Sequence, residues 1–277
     1  MKLTDHIHLL QINFEIALSA DKKLDRFVNV LILFGDKITL IDTGVKHSER
    51  MISEYLRENN RDISEIDTVI LSHSHPDHIG SAAKIKELSG CRILAHLGEK
   101  DWIENLELQN QQRPVPGFFN LADTPVKIDD FINDGEEIRS EAVTMKFIHS
   151  PGHSRGSLNI LFKEDRMLFT ADSIPLKNDI PNYDNFRDLM RTLESIKNND
   201  QYEILLSSWT LPFHERGKIT RLIDEGEQYM NRIDAIVKEC YNNNSGPNLD
   251  SCQSTIEKLG LPLFMVNPIV DRAFRSH

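Results

Sequence analysis

The chain has 277 residues, 39% of them hydrophobic and 27% charged, which is long enough to bury a sizeable core and ordinary for a globular protein. Its formal net charge of -11 argues against a general nucleic-acid or anionic-membrane binder, because phosphate attracts Lys/Arg surfaces. No run approaches the ~18–20 apolar residues of a membrane span.

The first residues, Met1 to His6, lack a long apolar core before a small-residue cleavage site, so no signal peptide is expected. Cys91, Cys240 and Cys252 show no CxxC spacing and read as reduced thiols of a cytoplasmic protein.

Residues 4–13 alternate weakly and predict an edge strand, with His6 and His8 as ordinary strand residues. Phe27–Phe34 and Ile38–Ile41, separated by the turn Gly35-Asp36-Lys37, predict a hairpin. Its second strand ends in Asp42-Thr43-Gly44, an acid before a tight turn. Residues 46–58 follow at helical spacing.

The apolar run Thr68–Leu71 then leads into Ser72-His73-Ser74-His75-Pro76-Asp77-His78, and Ile79, Ala82, Ala83, Ile85 and Leu88 resume at helical spacing. Three histidines and an aspartate thus sit where a buried strand hands over to a helix. Imidazole nitrogen and carboxylate oxygen are ligands of zinc, and iron or manganese also use them. His73 and His75 alternate and point the same way from extended backbone. Asp77 and His78 lie round the bend, in reach of a second ion.

Arg92–Ala95 is a further strand closed by His96, and 99–108 reads as a helix. Residues 109–120 are polar, then broken by Pro and Gly, then aromatic at Phe118-Phe119, a pattern that suits a lid or substrate wall. In the second half, Val126–Ile128, Ala142–Ile148, Leu158–Phe162, Met167–Thr170 and Glu203–Leu206 read as strands. Phe186–Ile196 and 217–240 read as amphipathic helices. Residues 242–248 form a break, followed by one helix around 250–259 and another turn or two near the end. The expected organisation is a main domain over 1–241 with a helical extension, 242–277, docked on it. That extension is too short to bury a core of its own.

The run His73-Ser74-His75-Pro76-Asp77-His78 resembles the HxHxDH motif of the metallo-β-lactamase superfamily. Three further stretches agree with it. Asp42-Thr43-Gly44 resembles the first motif, in which the aspartate braces the ligand loop. Pro151-Gly152-His153 resembles the motif that supplies the third ligand of the first ion, beside His73 and His75. Asp172, after Phe169-Thr170-Ala171, resembles the aspartate that bridges two ions.

The fifth motif departs. Where the family usually has Gly-His after the last core strand, this chain reads Ser207-Ser208-Trp209, and an indole N–H is a donor only. The second site is then filled by Asp77, His78, Asp172 and water, or recruits His214, or is weak and often empty.

The resemblance implies an α/β (α+β) fold, a four-layer αββα sandwich with its site on the edge where two sheets meet. It also implies one or two zinc ions, with iron or manganese as alternatives. An ion held by three histidines keeps a position open for water and makes hydroxide available at neutral pH, with Asp77 orienting it. The expected activity is hydrolysis of a small ester, thioester, lactone or related bond, with Trp209 on the substrate wall. A phosphodiesterase or nuclease, an iron-dependent redox enzyme and a metal-bearing scaffold without activity are the alternatives. A small-molecule substrate and a homo-oligomer fit the same picture.

Overall fold

The computed structural model describes residues 1–17, 23–140, 143–243 and 246–277. It is a four-layer αββα sandwich. The first sheet has the order β1 (Ile7–Ala17), β2 (Lys23–Phe34), β3 (Ile38–Ile41), β4 (Ile66–Leu71), β5 (Arg92–His96), β6 (Asp130–Ile132). The second has the order β7 (Glu137–Ser140), β8 (Val143–His149), β9 (Leu158–Phe162), β10 (Met167–Phe169), β11 (Ile204–Leu206). The helices are α1 (Ser48–Glu58), α2 (Pro76–Ile79), α3 (Ala82–Ser89), α4 (Lys100–Ile103), α5 (Leu106–Gln112), α6 (Phe118–Leu121), α7 (Phe186–Asn198), α8 (Arg216–Asn243), α9 (Leu249–Leu259) and α10 (Pro268–Phe274).

Among the described residues three apolar clusters glue the layers. One lies between the sheets, where Leu31, Ile41, Ile70, Phe147, Ile160 and Phe169 meet. A second seats α1, α3 and α6 on the outer face of the first sheet through Ile52, Leu56, Ile85 and Phe118. The third seats α7 to α10 on the outer face of the second sheet, with Leu161, Leu168 and Leu205 under Leu193, Ile233, Ile256 and Phe274. Strands buried on both faces read as near-continuous apolar runs, as β4 does, and this is why they were legible as strands without alternation. Asn105, Asn185, Asn248 and Asn267 cap α5, α7, α9 and α10 by accepting from N–H groups of the first turn.

The expected elements shift in several places. The edge strand is longer than 4–13 and reaches Ala17. The helix over 99–108 is instead the two short helices α4 and α5, and the helical spacing from Ile79 to Leu88 is broken at Gly80-Ser81 between α2 and α3. Val126–Ile128 is not a strand. Val126 and Ile128 are buried in the core while their N–H groups donate to the Ile103 carbonyl and to Glu104 Oε1, so alternation here marks a covered loop. The strand at 142–148 is β8 from Val143 onward; Ala142 lies outside the described residues, as do Asn244 and Ser245 of the expected break. The expected boundary at 241/242 falls in the last turn of α8, and Cys252, Ile256, Leu259, Val270 and Phe274 share one apolar cluster with α7 and α8.

This topology carries the site. β3, β4 and β5 are parallel, as are β10 and β11, so their carboxyl ends gather at sheet edges. The Leu158 N–H donates to the Ser72 carbonyl at 2.9 Å, and the Asn29 N–H to the Ser208 carbonyl at 2.9 Å, which ties the two sheets together at that edge.

Candidate metal centre

β4 ends at Leu71, and the chain leaves it extended through His73 and His75 before Pro76 starts α2. Pro at the first helical position sets φ and has no N–H to leave unpaired. The second loop follows β8. There Gly152 has φ +127°, and a Cβ would lie 2.3 Å from the Leu189 nitrogen. Only glycine lets this loop press against α7 and turn His153 inward. The third segment follows β10, where Ala171 takes a left-handed φ of 43° just before Asp172.

These segments bring His73, His75, His153 and Asp172 together, all buried, with one potential ligand atom from each within 4.8 Å of the others. His153 Nε2 and His75 Nδ1 stand 2.8 Å apart. Asp172 Oδ2 is 3.3 Å from His153 Nε2 and 3.9 Å from His73 Nε2. The other oxygen, Oδ1, is 3.4 Å from His78 Nε2, which is 3.7 Å from Asp77 Oδ2. Each carboxylate oxygen of Asp172 therefore faces a different set of donors.

Hydrogen bonds fix the imidazoles. Asp42 is fully buried at a left-handed φ of 63°. Its Oδ1 accepts from the Ser72 N–H and its Oδ2 from the Ser72 hydroxyl, both at 2.7 Å, and Oδ2 also accepts from His78 Nδ1 at 2.8 Å. With its proton given to Asp42, the Ser72 hydroxyl accepts from His73 Nδ1 at 3.0 Å. His153 Nδ1 donates to the Asn182 carbonyl at 2.8 Å. Each proton on Nδ1 leaves Nε2 of His73 and His153 with its lone pair turned inward, and the same would hold for His78 once a cation displaces its second proton.

Among the described residues, the buried atoms His73 Nε2, His78 Nε2 and Asp172 Oδ1 have no hydrogen-bond partner. Orphaned polar atoms of this kind are costly unless a cation completes them. The donor set of imidazole nitrogens and carboxylate oxygens fits a divalent metal.

Charge agrees with this for the three histidines of the first ion. Burial pushes the His73 and His75 imidazoles well below their ordinary range and His153 down to about 4, so the three are neutral, as metal ligands must be. Burial opposes charge on His78 as well, but Asp172, Asp42 and Asp77 around it outweigh that and raise it. The sign of the pH dependence follows. A histidine whose pKa is lowered on folding takes up its proton more readily in the unfolded chain. For His73, His75 and His153, acidification from about pH 6.5 toward 4 therefore favours unfolding, by about 3 kcal/mol for His153 alone. His78 has the opposite sign, but its contribution is complete by pH 6.5 and constant below. Chelator-treated protein should thus lose melting temperature steadily across that window, read by calorimetry; a flat profile would contradict neutral histidines.

Residues that sequence inspection passed over hold the two ligand loops in place. Glu99, buried just before α4, accepts from the Ser74 N–H at 3.0 Å, from the Ser154 hydroxyl at 2.6 Å and from the Gly156 N–H at 2.5 Å. Gln109 of α5, also buried, donates to the Ser74 carbonyl at 2.7 Å. The residue between the two HxH histidines is thus pinned through both its N–H and its carbonyl. Nothing local marks Glu99 among 43 acidic residues.

His149 and His96 stack on each other at 4.1 Å, and His149 Nε2 pairs with the Arg155 carbonyl at 2.9 Å; both belong to the loop scaffold.

Three expected positions turn out otherwise. His214 is exposed beside Met167 and Ile204, at the far end of β10 and β11 from Asp172. After Trp209 the chain doubles back along β11, with Leu205 and Phe213 exchanging hydrogen bonds, and this carries His214 away. Phe118 is buried in the core against α6's own sheet face, and Phe119 is 40% exposed. Neither borders the cavity in front of the metal centre; Val115, Pro116 and Leu121 of the same segment do. Phe118 serves packing because α6 turns its inner face to the sheet, and Phe119 on the other side faces solvent. Trp209 does line the cavity, its ring 6.5 Å from that of His78.

The cavity has a volume of about 160 Å³ and is bordered by Asp77, His153, Asp172 and Arg113, otherwise mostly by apolar side chains. Among the described residues no helix is long and apolar enough to cross a membrane.

Layers and donors together define a metal-binding αββα protein. A family model described as the metallo-beta-lactamase superfamily matches residues 25–213, and the chain belongs to that superfamily. It is 26% identical over 163 residues to a beta-lactamase-like protein 2 homolog of Caenorhabditis elegans, covering 59% of this chain and 49% of that one. It is 30% identical over 138 residues to a probable metallo-hydrolase of Bacillus subtilis, covering 50% and 57% respectively. The chain spans about half the length of these curated relatives. Its fold is similar to that of a metallo-beta-lactamase family protein from Thermus thermophilus, with a TM-score of 0.73 at 17% identity over 98% of this chain and 93% of the other.

Proposed function

We propose that this chain is a hydrolase of small esters, thioesters or lactones that works with two bound zinc ions. The observation that carries this reading is Asp172. It turns Oδ2 toward His73 and His153 and Oδ1 toward His78, all beside a cavity that also receives Asp77. His73, His75 and His153 would hold one ion, Asp77 and His78 the other, and Asp172 both. Bound there, such ions supply Lewis acidity and lower the pKa of water toward ~7. The chain's own groups do the rest. Asp77, 15% exposed at its side chain on the cavity floor, positions the attacking water and takes its proton at Oδ2. The His–Asp42 and His–Ser72 bonds keep the nitrogens aimed inward. Trp209, where a further ligand is usual in the family, closes the floor with a face that excludes water. Apolar walls and a net charge of -11 support a small organic substrate over a nucleic acid.

The test is to strip the protein with chelator, assay ester, thioester and lactone hydrolysis, then titrate zinc back. Activity should return and saturate at two zinc per chain by elemental analysis, in wild type and in His214→Ala alike. Saturation at one ion, or a loss of zinc in His214→Ala, would refute the two-ion site as drawn. Fully loaded but inert protein would refute the hydrolase reading.

A further inference from the structure

Arg113 is the residue at the site that the reading above leaves without a task. It follows α5 directly, is only 3% exposed, and borders the cavity together with Asp77, His153 and Asp172. A guanidinium taken out of water normally has a carboxylate partner. Among the described residues Arg113 forms an ion pair with none. Asp184, the carboxylate that acts most strongly on its charge, is held by Arg272 through two bonds of 2.9 and 3.2 Å, and Asp179 of the cavity wall is held by Arg26 through two of 2.6 and 3.1 Å. Asp77 and Asp172 belong to the metal centre. The Arg113 side chain donates from Nη2 to Asn182 Oδ1. The same Asn182 accepts from the ligand His153 through its main-chain carbonyl at 2.8 Å. One residue thus separates the guanidinium from a metal ligand, so whatever anion it receives lies next to the reacting bond. Burial presses the guanidinium toward losing its charge; Asp184, Asp77 and Asp172 oppose this from a distance, and a bound anion in direct contact would add to them.

Most of the remaining lining of the cavity is apolar, apart from the paired Arg26 and Asp179 and the polar Asn182, Asn267, Tyr183 and Tyr229. Leu176 and Ile180, Met230 of α8, and Phe264 and Ile269 of the C-terminal segment line it. A buried fork of donors beside the metals and an apolar trough leading away describe an amphiphile with its acidic end inward.

We propose that Arg113 is a carboxylate receptor and that the substrate is an acidic amphiphile, an ester or thioester with a carboxylate a few atoms from the scissile carbonyl and an aliphatic remainder in the trough. Arg113 sets specificity here; it is not a catalytic group. The fork geometry favours two parallel N–H···O bonds to a planar carboxylate, which lysine cannot reproduce. The C-terminal segment then forms part of the binding surface through Phe264 and Ile269.

What the carboxylate is attached to rests on the hydrolase reading, but binding can be measured without turnover. Octanoate and octanamide are titrated calorimetrically into the protein as purified, for wild type, Arg113→Lys and Arg113→Met, with the melting temperature of each variant as a folding control. Wild type should prefer octanoate by about tenfold or more. The preference should shrink in Arg113→Lys and disappear in Arg113→Met. A metal ion alone can also attract a carboxylate, and the variants separate the two. If Arg113→Met keeps the wild-type ratio, the metal is the receptor and the proposal is wrong. If wild type shows no preference, the proposal is wrong without recourse to any variant. Protein that hydrolyses nothing yet shows the Arg113-dependent ratio would refute the hydrolase reading alone.

Discussion

Replacing Asp172 with asparagine is expected to lower metal-dependent hydrolysis at least about a hundredfold and to lower the bound metal by an ion per chain. The amide keeps the shape and one oxygen, but its nitrogen carries two hydrogens and has no lone pair to offer a cation. In this site both oxygens are committed, Oδ2 at 3.3 Å from His153 Nε2 and Oδ1 at 3.4 Å from His78 Nε2. An asparagine can serve one side only, and its NH2 would face the other set of donors. Elemental analysis and kcat/KM on the same preparation check the two effects together. Wild-type metal content with near-wild-type activity would mean that Asp172 bridges nothing. The effect on His78 provides a second reading. Asp172 is foremost among the carboxylates that raise its pKa, so in stripped Asp172→Asn the imidazole should titrate lower than in stripped wild type, as seen by NMR.

The second large effect is expected at Glu99, which touches no proposed ligand atom. Glu99→Ala leaves the N–H groups of Ser74 and Gly156 and the hydroxyl of Ser154 buried without their acceptor. An unpaired buried donor costs roughly 1–3 kcal/mol, so a loss of about 3–5 kcal/mol is expected, partly relieved by entering water. The two loops that Glu99 ties together carry His75 and His153, so zinc affinity should fall about ten- to a hundredfold as well. Glu99→Gln keeps one acceptor oxygen and should lie between. Chemical denaturation of stripped protein reads the first effect, and competition with a chromogenic chelator the second. If Glu99→Ala unfolds like wild type but binds zinc weakly, the clamp reading gives way to a direct role at the metal.

Much of this was open to inspection before any fold was drawn. His73, His75, Asp77 and His78 sit within six residues, and side chains of those types so close together have few purposes other than binding a cation. Strand periodicity and turn residues located most strands but not β6 or β7, because burial on two faces leaves a continuous apolar run and burial on one leaves alternation; the two-sheet arrangement followed only from the family resemblance. The errors have particular causes. Val126 and Ile128 alternate as a strand does, yet they cover the core from a loop whose N–H groups find other acceptors. His214 lay five residues beyond Trp209, close enough along the chain to be considered a ligand, but a bridge between Leu205 and Phe213 reverses the direction. Phe118 and Phe119 were legible as unusual in a polar segment, and only the docking of α6 decides that one packs inward and the other faces solvent.

By itself the sequence determined the donor types, the order of the loops that carry them and the membership of the chain in its superfamily, since those depend on residue chemistry and on local spacing. Which side chains beyond the motifs complete the site was decided only by tertiary structure. Glu99, Gln109, Arg113 and Asn182 are ordinary polar residues far apart in the chain, and each gains its role from what folding places opposite it. A hydrogen bond or an unpaired charge is a property of two groups at contact distance after water has been removed, and one-dimensional spacing carries no information about that when the partners are dozens of residues apart.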